Sequence, residues 1–374
     1  MDPQQKLLID ALRSAVTNTP CSLPPQVDWP AFLDFAAFHN VQALAWSGLQ
    51  NAPIPEETHK RFQLAYNLVI YRDSQLEYTK AQLETRLERE GVSHIFLKGA
   101  VLKYDYPIPA LRTMTDLDVL VHTQDYPTID KVAGELGGEL LDGDGNHRNF
   151  LFPGGVKVEF HPNLLHHATP VAAAVNPGWQ YAQGNRMTEE GFYLSILAHI
   201  AEHFVSGGIG VRFLLDIWVF HNLRKQPMDR AFVEKELKRF GILEFAKNLE
   251  ELSRVWFDGT PGNALTEELG SYILTSGIHG LEKREMLNAV TLSGGRAGAL
   301  WRKVFYPRQE LEDRYPWAKG CVLLLPAAWC CRAFRAVTQR GDQIRSWHKG
   351  TGSFTRSEIK AQQQKLRRFG IQWK

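Results

Sequence analysis

The apolar residues change their period twice along this chain, and that change restricts the fold more than any other feature. From Gln4 to about Glu90 they recur every three to four positions, as in Leu7, Leu8, Ala11, Leu12 and Val16, with Pro24 to Pro30 as a break. Side chains so spaced share one face of a helix, so the stretch reads as helical. The run from Glu56 to Glu90 contains only helix-compatible residues and predicts one long helix. Near Val92 the period drops to two. HIFL reads as a short strand that ends at Lys98 and Gly99, and DLDVLV as a second. A helix from about Tyr126 to Leu136 follows. RNFLF, the turn Pro153-Gly154-Gly155 and VKVEFH then form a β-hairpin. After Pro170 helical periodicity returns, in segments near residues 189–205, 211–223, 229–256, 262–276 and 321–349. The expected fold is α+β: a small mixed β-sheet in residues 91–170, embedded between an N-terminal helical segment, 1–90, and a C-terminal helical lobe with a basic tail, 171–374.

With 374 residues the chain exceeds what one core normally holds, roughly 250 to 300 residues, which agrees with a division into lobes. A composition of 44% hydrophobic and 22% charged residues excludes global disorder. The net charge of +2 is unevenly spread: from Trp329 to Lys374 eleven Lys or Arg face only Asp342 and Glu358, a balance of +9. Interleaved with Trp347, Phe354, Phe369 and Trp373, this tail suits either RNA or docking as an amphipathic helix on the body, and docking is the expectation. Cys21, Cys321, Cys330 and Cys331 lack C-x-x-C spacing, so reduced, mostly buried thiols and a cytoplasmic setting are expected. The N-terminal residues carry acids and an amphipathic pattern, unlike a signal peptide. The longest apolar run, Cys321 to Cys331, is interrupted by Pro326 and falls short of the ~20 residues a membrane span needs.

Strand alternation puts Asp116 and Asp118 on one face, opposite Leu117 and Val119. In VKVEFH it groups Lys157, Glu159 and His161 against Val156, Val158 and Phe160, which makes Glu159 the candidate third carboxylate. Neighbouring carboxylates repel, and a divalent cation between them turns that conflict into oxygen ligation. Three such acids on adjacent strands suit in-line displacement at a phosphoryl centre, where metals ~3.5 to 4 Å apart stabilise the attacking and leaving oxygens. Gly99, at the expected strand-to-helix turn, would let backbone amides approach a triphosphate, with Lys98 beside it. Arg112, four residues ahead of Asp116, would offset phosphate charge.

LKGA, then Arg112 through Asp116-Leu117-Asp118, then Glu159 resembles the signature of the DNA polymerase beta nucleotidyltransferase superfamily: an apolar residue with Gly and then Gly or Ser, two acids separated by an apolar residue, and a third acid later. More closely, LKGAVL, Tyr106-Pro107, DLDVLV, VEFH, LAHIAEHF, GVRFLLDIWVF and RYPW…LLPAAWCCR resemble a bacterial group of uncharacterised nucleotidyltransferases over roughly residues 60–340. The resemblance implies transfer of a nucleoside monophosphate, AMP first, from an NTP such as ATP to a protein, tRNA or metabolite. Mg²⁺ or Mn²⁺ would be held by Asp116, Asp118 and Glu159, and the nucleotide would be bound by Lys98, Gly99, Ala100, Arg112 and His161. Ala100 departs from the superfamily's Gly or Ser and motivates a second reading, a non-catalytic nucleotide- or RNA-binding module.

His199-Ile200-Ala201-Glu202-His203 matches H-x-x-E-H and opens a minor alternative, a zinc hydrolase, for which Asp216 or Glu234 would have to supply a further ligand. Within the nucleotidyltransferase reading His199, His203, Arg212 and Asp216 either face the cleft, as contacts to acceptor or nucleotide, or form a buried structural cluster. His166 and His167 fall in the loop after VKVEFH. SGGIG at Ser206–Gly210 and SGGRAG at Ser293–Gly298 lack the G-K-[ST] of a P-loop and read as turns.

Overall fold

A computed structural model describes residues 1–372 except 51, 143–146, 166–168, 279, 306, 307, 309, 310, 313, 314 and 319; His166, His167 and Trp373 lie outside the described residues. Four helices come first: α1 (Pro3–Thr17), α2 (Trp29–Phe38), α3 (Gln42–Ser47) and α4 (Glu56–Arg89). Asp2 starts α1 with a reciprocal cap: its carboxylate accepts the Gln5 N–H at 2.9 Å, and the Gln5 side chain accepts the Asp2 N–H at 3.2 Å.

The chain then lays down β1 (His94–Phe96), α5 (Gly99–Leu102), β2 (Asp116–Val121), α6 (Tyr126–Glu135), β3 (Glu139–Asp142), β4 (Arg148–Phe152) and β5 (Val156–His161). The five strands form one sheet in the order β1-β2-β5-β4-β3, with β2 and β5 parallel and the other pairs antiparallel. Gly154 and Gly155 turn the β4–β5 hairpin at φ +76° and +73°, angles that side-chain-bearing residues avoid. The edge strand β3 was not expected from sequence. Its Leu140 and Leu141 both stand half exposed, so ELLD carries no period-two signal.

The two faces of the sheet meet different partners. Leu117, Val119, Val121, Val156, Val158 and Phe160 pack under Leu76, Leu83 and Leu87 of α4 and Ile129 and Val132 of α6. On the other face Ile95, Leu97 and Leu120 join the helical core, and the polar end of that face opens towards the helices.

The rest of the chain is α7 (Pro170–Val175), a two-residue ladder of β6 (Ala182–Gln183) and β7 (Arg186–Met187), α8 (Glu189–Val205), α9 (Val211–Asn222), α10 (Arg230–Phe240), α11 (Leu243–Phe257), α12 (Ala264–Leu274), α13 (Glu282–Leu292), α14 (Arg296–Val304) and two further helices, Leu325–Gly352 and Arg356–Arg368. The single helix expected over 229–256 is two, because Gly241 at φ +72° closes α10 and turns the chain into α11. The SGGIG segment and the Ser293-Gly294-Gly295 half of SGGRAG are turns, with positive φ at Gly207, Gly208, Gly294 and Gly295, while Arg296-Ala297-Gly298 opens α14.

Leu8 of α1 and Phe32 of α2 belong to the same apolar cluster as Phe204 of α8 and Phe245 and Leu249 of α11. The N-terminal helices and the later ones therefore share a core, and α4 bridges it to the sheet: Phe62 lies in the helical core and Leu83 beneath the strands. His39, fully buried after α2, locks this junction. Its Nε2 meets the Leu274 carbonyl at 3.2 Å, and its Nδ1 accepts the Val211 N–H at 3.4 Å.

The end of the basic tail, from Arg356 on, docks. Leu366, Phe369 and Ile371 enter the helical core, Arg368 pairs with Glu268 at 2.8 Å, and Asn248 donates to the Phe369 carbonyl at 3.1 Å. The expectation of mostly buried thiols fails: Cys21 and Cys321 are half-buried, and Cys330 and Cys331 are exposed on the helix Leu325–Gly352, away from the main core. Among the described residues no helix is long and apolar enough to cross a membrane.

Two stability measurements follow from this packing. Phe369 is fully buried against Phe204 and Tyr272, so Phe369→Ala should cost about 3 to 5 kcal/mol in urea denaturation; an undocked tail would give almost no change. Burial pushes the His39 imidazole down from 6.5 to about 4, against the raising effect of its bond to the Leu274 carbonyl. The unfolded chain therefore takes up a proton that the native state refuses. This contribution, on the order of 3 kcal/mol, is complete above pH ~6.5 and is lost as pH falls towards ~4. Unfolding free energies of wild type and His39→Gln should converge across that window; parallel curves would refute the assignment.

Candidate active site

The site begins with the pairing of β2 and β5. Their parallel register sets Asp116 beside Lys157, Asp118 beside Glu159 and Leu120 beside His161, so the acids share one end of one face. Oxygens of Asp118 and Glu159 and a ring nitrogen of His161 lie within 4.8 Å of one another. Lys98 donates to Asp118 Oδ1 at 3.0 Å, and His161 Nε2–H donates to the same oxygen at 3.0 Å. Lys157 pairs with Glu159, and Thr115 donates to Asp116 Oδ1 at 3.2 Å.

The carboxylates respond in opposite directions. Burial, then the charges of Asp118 and Glu159, hold the Asp116 carboxyl above the usual range, outweighing Lys98 and Thr115. Burial also acts to raise Asp118, but Lys98 and the His161 bond override it and hold that carboxyl well below its usual range.

A cavity of about 300 Å³ covers this end of the sheet. Asp116, Asp118, Glu159, Lys98, Gly99, Ala100 and Arg112 line it from the sheet side, and His199, His203, Arg212 and Asp216 from α8 and α9. Residues separated by more than a hundred positions thus meet in one cleft. His161 stands behind Asp118, only 2% exposed, with its Nδ1 at 3.2 Å from that of His147; it braces an acid and is no part of the cavity wall.

The turn into α5 differs from the expectation. The Ala100 N–H bonds the Leu97 carbonyl at 3.2 Å, and Lys98 holds φ +50°, ψ −121°, the first central position of a type II′ turn, where glycine is usual. The unusual backbone is therefore at Lys98, and the Ala100 amide is already occupied. Gly99 is glycine for another reason: a Cβ there would stand 2.0 Å from Arg112 Nη1 and 2.6 Å from Met114 Sδ.

Arg112 crosses Gly99 to form a buried pair with Asp216, Nε to Oδ1 at 3.1 Å and Nη2 to Oδ2 at 2.7 Å, and the Tyr106 hydroxyl donates to Asp216 Oδ1 at 2.7 Å. This two-pronged geometry neutralises Arg112 within the protein. Arg212 Nη1 donates to the Thr113 carbonyl at 2.7 Å, and Arg224 joins Glu189 and Asp105 at 2.6 to 2.8 Å. The segment between β1 and β2 is thereby clamped to the helical lobe. Sequence reasoning gave no role to Lys157, Tyr106, Thr113 or Arg224. Lys157 was legible through strand alternation, whereas the clamps join positions about a hundred residues apart and leave no local pattern. The rings of His199 and His203 lie 4.3 Å apart, and among the described residues the pair belongs to no group of three metal-ligating side chains.

A family model described as uncharacterised nucleotidyltransferase matches residues 25–258. The chain belongs to this nucleotidyltransferase family. The matched span holds all the cleft residues named above and ends just after α11, so the RYPW and LLPAAWCCR segments, read above as part of the likeness, lie beyond it. No curated protein and no solved structure matches the chain.

Lys98 gives the nucleotidyltransferase a direct test of backbone strain. Lys98→Gly and Lys98→Ala both remove the ammonium from Asp118, but only glycine relaxes the turn. The glycine variant should be more stable than the alanine variant by about 1 kcal/mol in thermal or urea unfolding, the reverse of their order at an ordinary position.

Proposed function

We propose that this nucleotidyltransferase uses the polymerase beta-type reaction: it transfers a nucleoside monophosphate, AMP in the first instance, from an Mg²⁺-bound NTP to a hydroxyl-bearing acceptor. The observation that carries the reading is the register of β2 and β5, which pairs Asp118 with Glu159 while Asp116 occupies the same face two residues earlier. A hard divalent cation fits here, since Asp118 and Glu159 bring carboxylate oxygens within 4.8 Å of each other and of a His161 nitrogen, and the repulsion that raises Asp116 on the same face is relieved by positive charge. Asp116, Asp118 and Glu159 would hold the ion, which when bound neutralises charge on the phosphate oxygens.

The remaining work falls to the chain itself. Asp118, kept ionised by Lys98 and His161, is ready to ligate, and Lys98 stands at the mouth of the turn where phosphates would enter. In the reaction the acceptor oxygen bonds to the α-phosphorus as the bond from that phosphorus to the β-bridging oxygen breaks. Pyrophosphate leaves, and the acceptor proton passes to Glu159 or to water. The acceptor, whether protein, RNA or metabolite, would enter between the sheet and α8–α9.

The test is release of pyrophosphate from labelled ATP with Mg²⁺ and fractionated cell extract, followed by location of the label. Asp116→Asn, Asp118→Asn and Glu159→Gln should each lower the rate about a hundredfold or more. Equal rates in wild type and variants would defeat the assignment. Binding of ATP with no pyrophosphate from any fraction would favour a non-catalytic nucleotide-binding module.

A further inference from the structure

Arg212 clamps Thr113 through Nη1, but its charge lies where the helix does not favour it. It stands in the first turn of α9, where the helix dipole disfavours a cation, and that turn holds no acidic residue. It faces the cavity, its Nε is buried without a hydrogen-bond partner, and among the described residues it makes no ion pair. Arg112, its neighbour across the cleft, is paired with Asp216 and leaves no carboxylate on α9 for Arg212. Burial, then the charge of Arg112, pushes the Arg212 guanidinium down to about 10, overcoming Asp216 and Asp116. A half-buried cation whose Nε is buried without a partner, set beside the already paired Arg112, is a site arranged for an anion that the protein does not itself provide.

We propose that Arg212 is the polyphosphate-binding residue of the cleft, taking the β- and γ-phosphates of the NTP from the helical side while the carboxylates hold the metal on the sheet side. This rests on the nucleotidyltransfer reading, and it moves to Arg212 the part that sequence spacing gives to Arg112. A planar guanidinium suits phosphate oxygens, and Arg212 keeps only Nη1 on the Thr113 carbonyl, which leaves the Nε edge for the ligand. The nucleotide would then join the sheet to α9 and hold the two walls of the cleft together.

Calorimetric titration of the full chain with ATP, AMP and inorganic pyrophosphate, each with Mg²⁺, tests this in wild type, Arg212→Gln and Arg212→Lys. Arg212→Gln should weaken ATP and pyrophosphate about tenfold or more while leaving AMP unchanged, and Arg212→Lys should recover part of the loss. Unfolding curves of the unliganded variants separate loss of affinity from loss of fold; should Arg212→Gln fail to fold, the comparison of Arg212→Lys with wild type carries the test. Unchanged ATP affinity in Arg212→Gln, or equal losses for ATP and AMP, overturns the proposal. Arg212-dependent pyrophosphate binding that ATP does not displace would place the anion on the acceptor and likewise overturn it. If wild type binds pyrophosphate through Arg212 but no NTP, the anion site survives and the nucleotidyltransfer reading fails.

Discussion

Asp116, Asp118 and Glu159 bring three carboxylates to one end of a parallel strand pair, and their mutual repulsion is the constraint around which the neighbouring residues are arranged. Two unit charges within 4.8 Å repel by about 3 kcal/mol at an effective dielectric near 20, a large fraction of the stability of an ordinary domain. The chain offsets this with cations at unequal distances. Lys98 and His161 act on Asp118, Lys157 acts on Glu159, and Asp116 receives a hydroxyl and the more distant fields of Lys98, Lys157, Arg112 and Arg212. The unrelieved part of the repulsion is concentrated on one acid, which is the arrangement a cation could exploit.

A second constraint fixes the opposite wall. The pair of Arg112 and Asp216 is almost fully buried, with the Tyr106 hydroxyl completing the carboxylate's partners. Desolvating two ions costs several kcal/mol each, and a buried pair of this kind often contributes little net stability compared with apolar residues of the same size. Its effect is geometric. Both donors of the guanidinium edge are used, so α9 is held at one angle and distance from the turn after β1, and the close passage of Arg112 over Gly99 excludes any side chain there. Removing either partner would leave a buried, uncompensated charge, which explains why the clamp extends through Arg212 on Thr113 and Arg224 on Asp105 instead of resting on a single contact.

The sheet and its carboxylates were legible in the sequence because their signals are local. Period-two alternation placed Asp116, Asp118 and Glu159 on one face, and the glycines of the Pro153-Gly154-Gly155 turn fixed the hairpin that carries Glu159. What escaped was set by distant partners. The steric reason for glycine at 99 escaped because Arg112 approaches it from a separate segment, and the pairing of Arg112 escaped because Asp216 follows it by more than a hundred residues. Gly241, one small residue within an otherwise helical period, split a helix that propensity alone would continue. Composition could separate helical stretches in order along the chain, but the packing of α1 against α11 depends on three-dimensional adjacency that no local pattern encodes.

Strain and charge at this cleft run in one direction. Lys98 adopts a backbone conformation costing about 1 to 3 kcal/mol for a residue with a side chain, Asp116 is held as an unfavourable anion, and Arg212 is a cation in an unfavourable helix turn. Each would be improved by a single substitution if stability were the only requirement. The large helical core, which draws in residues from Leu7 to Ile371, offsets these costs away from the cleft. The three features also differ in sign and position: negative charge at the strand ends, positive charge on α9, and a strained turn bearing an ammonium between them. A ligand carrying both a polyanionic chain and a bound cation would satisfy all three at once, whereas a neutral metabolite would satisfy none. The distribution of unfavourable terms is therefore the one that the function proposed above requires of its cleft.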